Sequence, residues 1–115
     1  WDWKQSKQEK EIIELQSQVV NTQKELFGQG IKILIEKNIA DIEKYRQLLV
    51  KDEEIIVLRK KIVESAESQL ENGIITATEY LTELNAKSQA EINKEAHKIL
   101  LSKAYVDYLT TKGKY

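Results

Sequence analysis

The sequence predicts an all-α protein, a long antiparallel coiled-coil helical hairpin. Three observations predict it. Proline is absent from all 115 residues, so nothing forbids very long helices. Apolar residues recur every seven positions through Ile35, Ile42, Leu49, Ile56, Val63 and Leu70, which is coiled-coil spacing. One short break, at Asn72-Gly73, interrupts the helical pattern. Glycine takes positive φ freely and asparagine tolerates it, so this pair can turn the chain.

The first helix is predicted over residues 3–71. Asp2 suits the N-cap, with Trp1 and Trp3 on either side. Only Gly28 and Gly30 weaken the run that follows. Beside the heptad row lie Leu48, Ile55 and Ile62, which makes the stripe wider than a two-helix seam and predicts more than one neighbour. Further upstream, Ile12, Leu15, Val19 and Leu26 are spaced less regularly.

The tip is assigned to residues 72–76. Thr76 and Glu79 have the spacing of a capping box that starts the return helix, predicted over 77–111. The stripe of that helix is read as Leu81, Leu84, Ser88, Ile92, Ile99 and Val106. Ala77, Ala86, Ala90, Ala96 and Ala104 are small enough to let another helix come close. Gly113 stands where a C-terminal stop belongs. At 1.5 Å per residue the first helix would be roughly 100 Å long and the second roughly 50 Å. About half of the first helix then has no partner within the chain.

Two arrangements resolve that mismatch. The missing partners lie elsewhere in a larger protein or in other subunits, or the first helix bends at Gly28-Gln29-Gly30 to make a three-helix bundle. Two mid-helix glycines cost about 1 kcal/mol each. Burying two or three leucine-sized side chains would offset that, at about 1.5–3 kcal/mol each. Within a larger parent the straight helix is the preferred reading. The start at Trp1, with neither methionine nor signal peptide, reads as a piece cut from such a parent. The six i,i+4 pairs Lys7/Glu11, Lys10/Glu14, Lys32/Glu36, Lys37/Asp41, Lys60/Glu64 and Lys87/Glu91 are in the weaker Lys-first order and mark solvated faces.

Composition narrows function. Eighteen basic and nineteen acidic side chains leave a net charge of -1, which makes no electrostatic case for nucleic acid or an anionic membrane. Aromatics are only 7% of residues, too few for a thick globular core. With no cysteine there is no disulfide framework, no thiol chemistry and no redox clue to compartment. No apolar run approaches the ~20 residues of a membrane-spanning helix. His97 is the only histidine, and its helical neighbours Asn93 and Leu101 offer no second metal ligand, so it reads as a solvated or interfacial residue. Nucleophile–base pairs of the usual kinds cannot be assembled, so an enzyme is not expected, and neither is a cofactor. Gly28-Gln29-Gly30 lacks the third glycine and the preceding strand of a dinucleotide loop and reads as a helix flaw or hinge. Glu79 and Glu83, one turn apart, fit either a cap plus a solvated acid or an acidic patch at the mouth of an assembly. Trp1 and Trp3 fit either core anchors or a membrane surface.

Taken together, these segments resemble the second repeat of TolC-like outer membrane efflux proteins. Trp1-Asp2-Trp3 is similar to the segment where a barrel strand hands over to the long periplasmic helix. Asn72-Gly73-Ile74-Ile75-Thr76-Ala77-Thr78-Glu79-Tyr80-Leu81 resembles the family's hairpin tip. Ala104-Tyr105-Val106-Asp107-Tyr108-Leu109, followed by Gly113, resembles the close of the return helix. The resemblance implies a periplasmic tunnel segment of a trimeric outer membrane channel in a multidrug efflux or type I secretion system. It also implies partners: a periplasmic adaptor and, through it, an inner membrane pump. Gly73, Ile74, Ile75 and Thr76 would then form the adaptor-docking turn, and Glu79 would lie at the tunnel mouth. The family often carries a second acid three residues on; here that position is Thr82, and Glu83 is one residue off. The competing reading is a non-catalytic interaction module, either a coiled coil or a three-helix bundle.

Overall fold

The computed structural model describes residues 2–113, so Trp1, one of the two tryptophans singled out above, lies outside the described residues. Two helices account for nearly all of them: α1, Asp2–Glu71, and α2, Ala77–Gly113. No strand occurs among the described residues. The all-α hairpin is thus the observed fold. The chain divides into two compact units, Trp1–Lys37 and Asn38–Tyr115, with the boundary inside α1.

The first unit is helical throughout its described part, Gly28 and Gly30 included. The turn that a three-helix bundle would need at Gly28–Gly30 is absent. A Cβ built on either glycine would meet nothing within 4 Å, so no close packing calls for glycine there. Ile12, Leu15, Val19 and Leu26 are all exposed, so this apolar row has no cover among the described residues.

The second unit is the hairpin proper. Its tip follows a known pattern of helix termination. Gly73 has φ +70°, the left-handed conformation that costs any residue with a Cβ. The Ile74 N–H donates to the Gln69 carbonyl at 2.8 Å and the Gly73 N–H to the Leu70 carbonyl at 3.0 Å. These are the two bonds of a Schellman cap, and they satisfy carbonyls left over at the end of α1. Three residues later Thr76 caps α2, its Oγ1 accepting from the Glu79 N–H at 3.1 Å. Ile75 and Tyr80 sit at the two positions of a hydrophobic staple across this cap, and both are half-buried. At the other end, Gly113 is the last residue of α2 rather than a stop beyond it.

The two helices meet on faces that hydropathy alone would not choose. In α1 the heptad row through Ile56 and Val63 is buried as expected. Its companion row, however, is Asn38, Tyr45, Asp52, Arg59 and Ala66, of which Asn38, Asp52 and Ala66 are buried. The expected companions Leu48, Ile55 and Ile62 flank the seam, and Ile55 remains 46% exposed. In α2 the correction is larger. Of the expected stripe only Leu84 is half-buried. Leu81, Ser88, Ile92, Ile99 and Val106 are exposed, Ile99 to 70%. The inward row is instead Glu83, Ala90, His97, Ala104 and Thr111, with Ala90, Ala104 and Thr111 buried. Small residues let the backbones approach, so the packing selects Ala90 and Ala104, while Ala77 and Ala96 stay exposed. The bulkier aliphatics are turned to the opposite side of α2.

None of the six Lys-first pairs is among the ion pairs of the described residues; the local pairs formed are Lys98–Glu95 at 3.2 Å and Lys103–Asp107 at 2.9 Å.

The tip makes a direct prediction. Gly73→Ala should lower hairpin stability by about 1–2 kcal/mol through backbone strain alone, since the new Cβ meets no atom within 4 Å. Gly73→Asn should cost less. Thr76→Ala should cost about 1 kcal/mol by removing the cap. Urea unfolding followed by circular dichroism measures all three, and equal stability of Gly73→Ala and the parent would refute the account of the turn.

Candidate functional site

Two features of the hairpin carry polar groups in defined positions: the tip and the seam between the helices. At the tip, Gly73, Ile74 and Thr76 are exposed, Ile74 to 69%, and Ile75 is half-buried. A Schellman cap is often accompanied by an apolar contact from the residue after the glycine. Here Ile74 makes no such burial and projects from the end of the hairpin. Ile75 instead turns inward and lines an open groove of about 370 Å³ with Ile62, Ala66, Ser65, Gln69, Glu79 and Glu83. The groove therefore has an aliphatic floor and one acidic wall. Glu79 is held by its backbone at the cap, and Glu83 pairs with Arg59 across the seam at 3.6 Å. The structure thus brings Ile75, Glu79 and Glu83 to one groove and leaves Ile74 and Gly73 at the outermost point.

The seam carries a ladder of polar contacts between the helices. Its residues pair in antiparallel order, moving down α1 as they move up α2. Arg59 meets Glu83 nearest the tip. Next, Glu53 forms an ion pair with Lys94. Asp52 Oδ2 then lies 2.6 Å from His97 Nδ1, with the Asp52 side chain only 8% exposed. The Arg46 guanidinium sits over the Tyr105 ring, 5.7 Å from its centre. Farthest from the tip, the Asn38 amide donates to Thr111 Oγ1 at 3.1 Å and to the Asp107 carbonyl at 3.3 Å. The Thr111 hydroxyl donates to the same carbonyl at 2.8 Å. Among the described residues no buried side-chain nitrogen or oxygen lacks a hydrogen-bond partner. That satisfaction lets Asn38, Asp52 and Thr111 be buried at all.

Sequence reasoning leaves His97 as either a solvated or an interfacial residue, without its partner, and it misses Asn38, Asp52 and Thr111 entirely. The available signal is positional. Asn38 stands three residues after Ile35 and Asp52 three after Leu49, in the second core position of the repeat. His97 and Thr111 likewise alternate with Ala90 and Ala104 at heptad spacing.

Among the described residues no three His, Cys, Asp or Glu side chains are grouped as a metal would require. No helix there is long and apolar enough to cross a membrane. No protein-family model matches the chain, and no curated protein or solved structure matches it either.

The Glu53–Lys94 pair gives the seam a pH dependence. Hydrogen bonding and attraction from Lys94 hold the Glu53 carboxyl below its ordinary value of 4.5. The same bond holds the Lys94 ammonium above its ordinary 10.5. A carboxylate with a lowered folded pKa contributes stability above about pH 4.5 and loses it as the pH falls through the lowered value. Lys94 contributes below 10.5 and loses its contribution as the pH rises beyond that. Glu53→Gln should therefore make the acid limb of the stability curve shallower by lowering neutral stability, and only slightly, because both groups are solvated. Urea midpoints measured from about pH 3 to pH 7 test this, with an unchanged acid limb as the contrary result.

Proposed function

We propose that the chain is a periplasmic helical hairpin of a trimeric outer membrane efflux or secretion tunnel, of the TolC-like type. In this reading the tip meets a periplasmic adaptor that leads to an inner membrane pump. The observation that carries the reading is the apolar surplus on the outside of the hairpin. Leu81, Ile92, Ile99 and Val106 form a row on the side of α2 turned away from α1, and each is more than half exposed. On α1, Val50, Val57 and Leu58 are also exposed. A hairpin whose return helix buries alanines and polar side chains against α1, while offering a row of aliphatics outward, suits one component of a larger helical wall. An outward apolar row of this length suits packing against helices of the same parent or of neighbouring protomers.

The tip supports the second half of the proposal. Ile74 projects beyond the last turn of α1, and Gly73 presents bare backbone beside it. Behind them the groove lined by Ile75, Glu79 and Glu83 offers an aliphatic floor with an acidic wall. The docking residues are then Gly73, Ile74, Ile75 and Thr76, and Glu79 faces the mouth. The role is non-catalytic and needs no cofactor.

The deciding experiment separates docking from folding at Gly73. Gly73→Asn tolerates the positive φ and adds bulk at the tip; Gly73→Val adds bulk and strain. In the intact parent protein both variants should leave trimers in the outer membrane and abolish drug export or secretion. Normal export by Gly73→Asn and Gly73→Val alike would defeat the proposal.

A further inference from the structure

We infer that the buried contacts Asn38–Thr111 and Asp52–His97 form a register lock that selects this pairing of α1 and α2 over pairings slipped by one heptad. The lock belongs to the hairpin alone and stands whether or not the efflux reading holds.

Its basis is the order of residues along the seam. On α1 the row reads Asn38, Tyr45, Asp52, Arg59, Ala66. On α2, read in the opposite direction, it is Thr111, Ala104, His97, Ala90, Glu83. Hydrogen-bonding partners face each other at Asn38–Thr111 and at Asp52–His97. At the alternate positions a bulky residue faces an alanine: Tyr45 shares a groove with Ala104, and Arg59 shares one with Ala90. The pattern on each helix therefore repeats every two heptads, not every one. Hydrophobic packing with a one-heptad period cannot by itself tell neighbouring registers apart. A seam with a two-heptad period can.

Consider a slip of one heptad. In one direction Asn38 meets Ala104, Tyr45 meets His97 and Asp52 meets Ala90. In the other, Asp52 meets Ala104 and Arg59 meets His97. Either slip leaves the Asp52 carboxylate facing a methyl group, with its desolvation uncompensated. It also sets bulky or charged groups against one another where the native register has room. A slip of two heptads in the first direction brings Asp52 against Glu83, a like-charge pair.

The tip opposes slipping, because a slipped turn leaves the left-handed Gly73 and loses the Thr76 cap, but the displacement it must absorb is small. A one-heptad slip moves the turn by only half a heptad along the chain. About one helical turn unwinds in one helix while about one is added to the other. The exposed aliphatics do not oppose it, because they lie outside the seam. Within the seam, discrimination falls to the two polar contacts. A buried polar pair of this kind specifies pairing at the expense of stability, as a single buried asparagine does in a coiled coil.

Disulfide trapping tests the lock, and the absence of cysteine from the chain gives a clean background. In the native register Leu49→Cys lies level with Leu101→Cys; slipped by one heptad it lies level with Lys94→Cys or Tyr108→Cys. None of these positions belongs to the lock. In the otherwise unaltered chain only the Leu49→Cys/Leu101→Cys pair should cross-link within a monomer under mild oxidation. When Asn38, Asp52, His97 and Thr111 are all replaced by leucine, the slipped pairs should cross-link at least about tenfold more than before, the factor that one orphaned polar group represents. The unfolding temperature should rise at the same time. If the four-leucine chain aggregates, Asp52→Leu/His97→Leu carries the same cysteine pairs and should show the same direction of change. Slipped pairs that stay at background in folded variants would overturn the inference, as would slipped cross-links of equal yield in the unaltered chain.

Discussion

The whole hairpin depends on a turn of fixed geometry between α1 and α2. The Schellman bonds to Gln69 and Leu70 end α1 at a defined residue, and the Thr76 hydroxyl starts α2 at another. Because a helix repeats every 3.6 residues, fixing both ends of the turn fixes the rotational phase of both helices. That phase decides which row of each helix faces the other, and the polar contacts of the seam then decide which residues of those rows are level. Without it, α2 could present Ile92 and Ile99 inward, and the hairpin would close on aliphatics instead of alanines.

The result inverts the usual distribution of side chains. The interior holds Asn38, Asp52 and Thr111 beside Ile56, Val63 and three alanines, while many large aliphatics are exposed on both helices. Hydrophobic burial within the hairpin is therefore modest, while every buried polar side-chain atom of the seam is satisfied. Such a seam gives the two helices a close and specific pairing. The pair itself leaves the larger part of its aliphatic surface in water.

Much of this is legible in the sequence. The absence of proline, the heptad row from Ile35 to Leu70 and the break at Asn72-Gly73 correctly give two helices and a tip. The Thr76/Glu79 spacing correctly gives the cap, because capping is local and rests on side-chain chemistry within one turn. What is not legible is the facing surface of α2. A hydropathy reading assigns the strongest apolar row to the interior, and Leu81, Ile92, Ile99 and Val106 are that row. In the structure, size outranks hydropathy: alanines at heptad spacing admit the closest approach, and the polar residues between them are buried because partners wait on α1. The pairing of Asp52 with His97 joins residues 45 apart, and nothing short-range announces it.

The ladder of cross-helix contacts also has a direction in time. Arg59 and Glu83 are separated by one short stretch of chain, whereas Asn38 and Thr111 are 73 residues apart. Closing a loop costs more entropy as it lengthens, but each contact already made shortens the loop that the next must close. Association therefore proceeds from the tip outward, as a zipper does, and opening proceeds from the Asn38–Thr111 end inward. The hydrogen bonds from Asn38 to Thr111 and to the Asp107 carbonyl sit at that outer end and act as its clasp, the last contacts to form and the first to be lost.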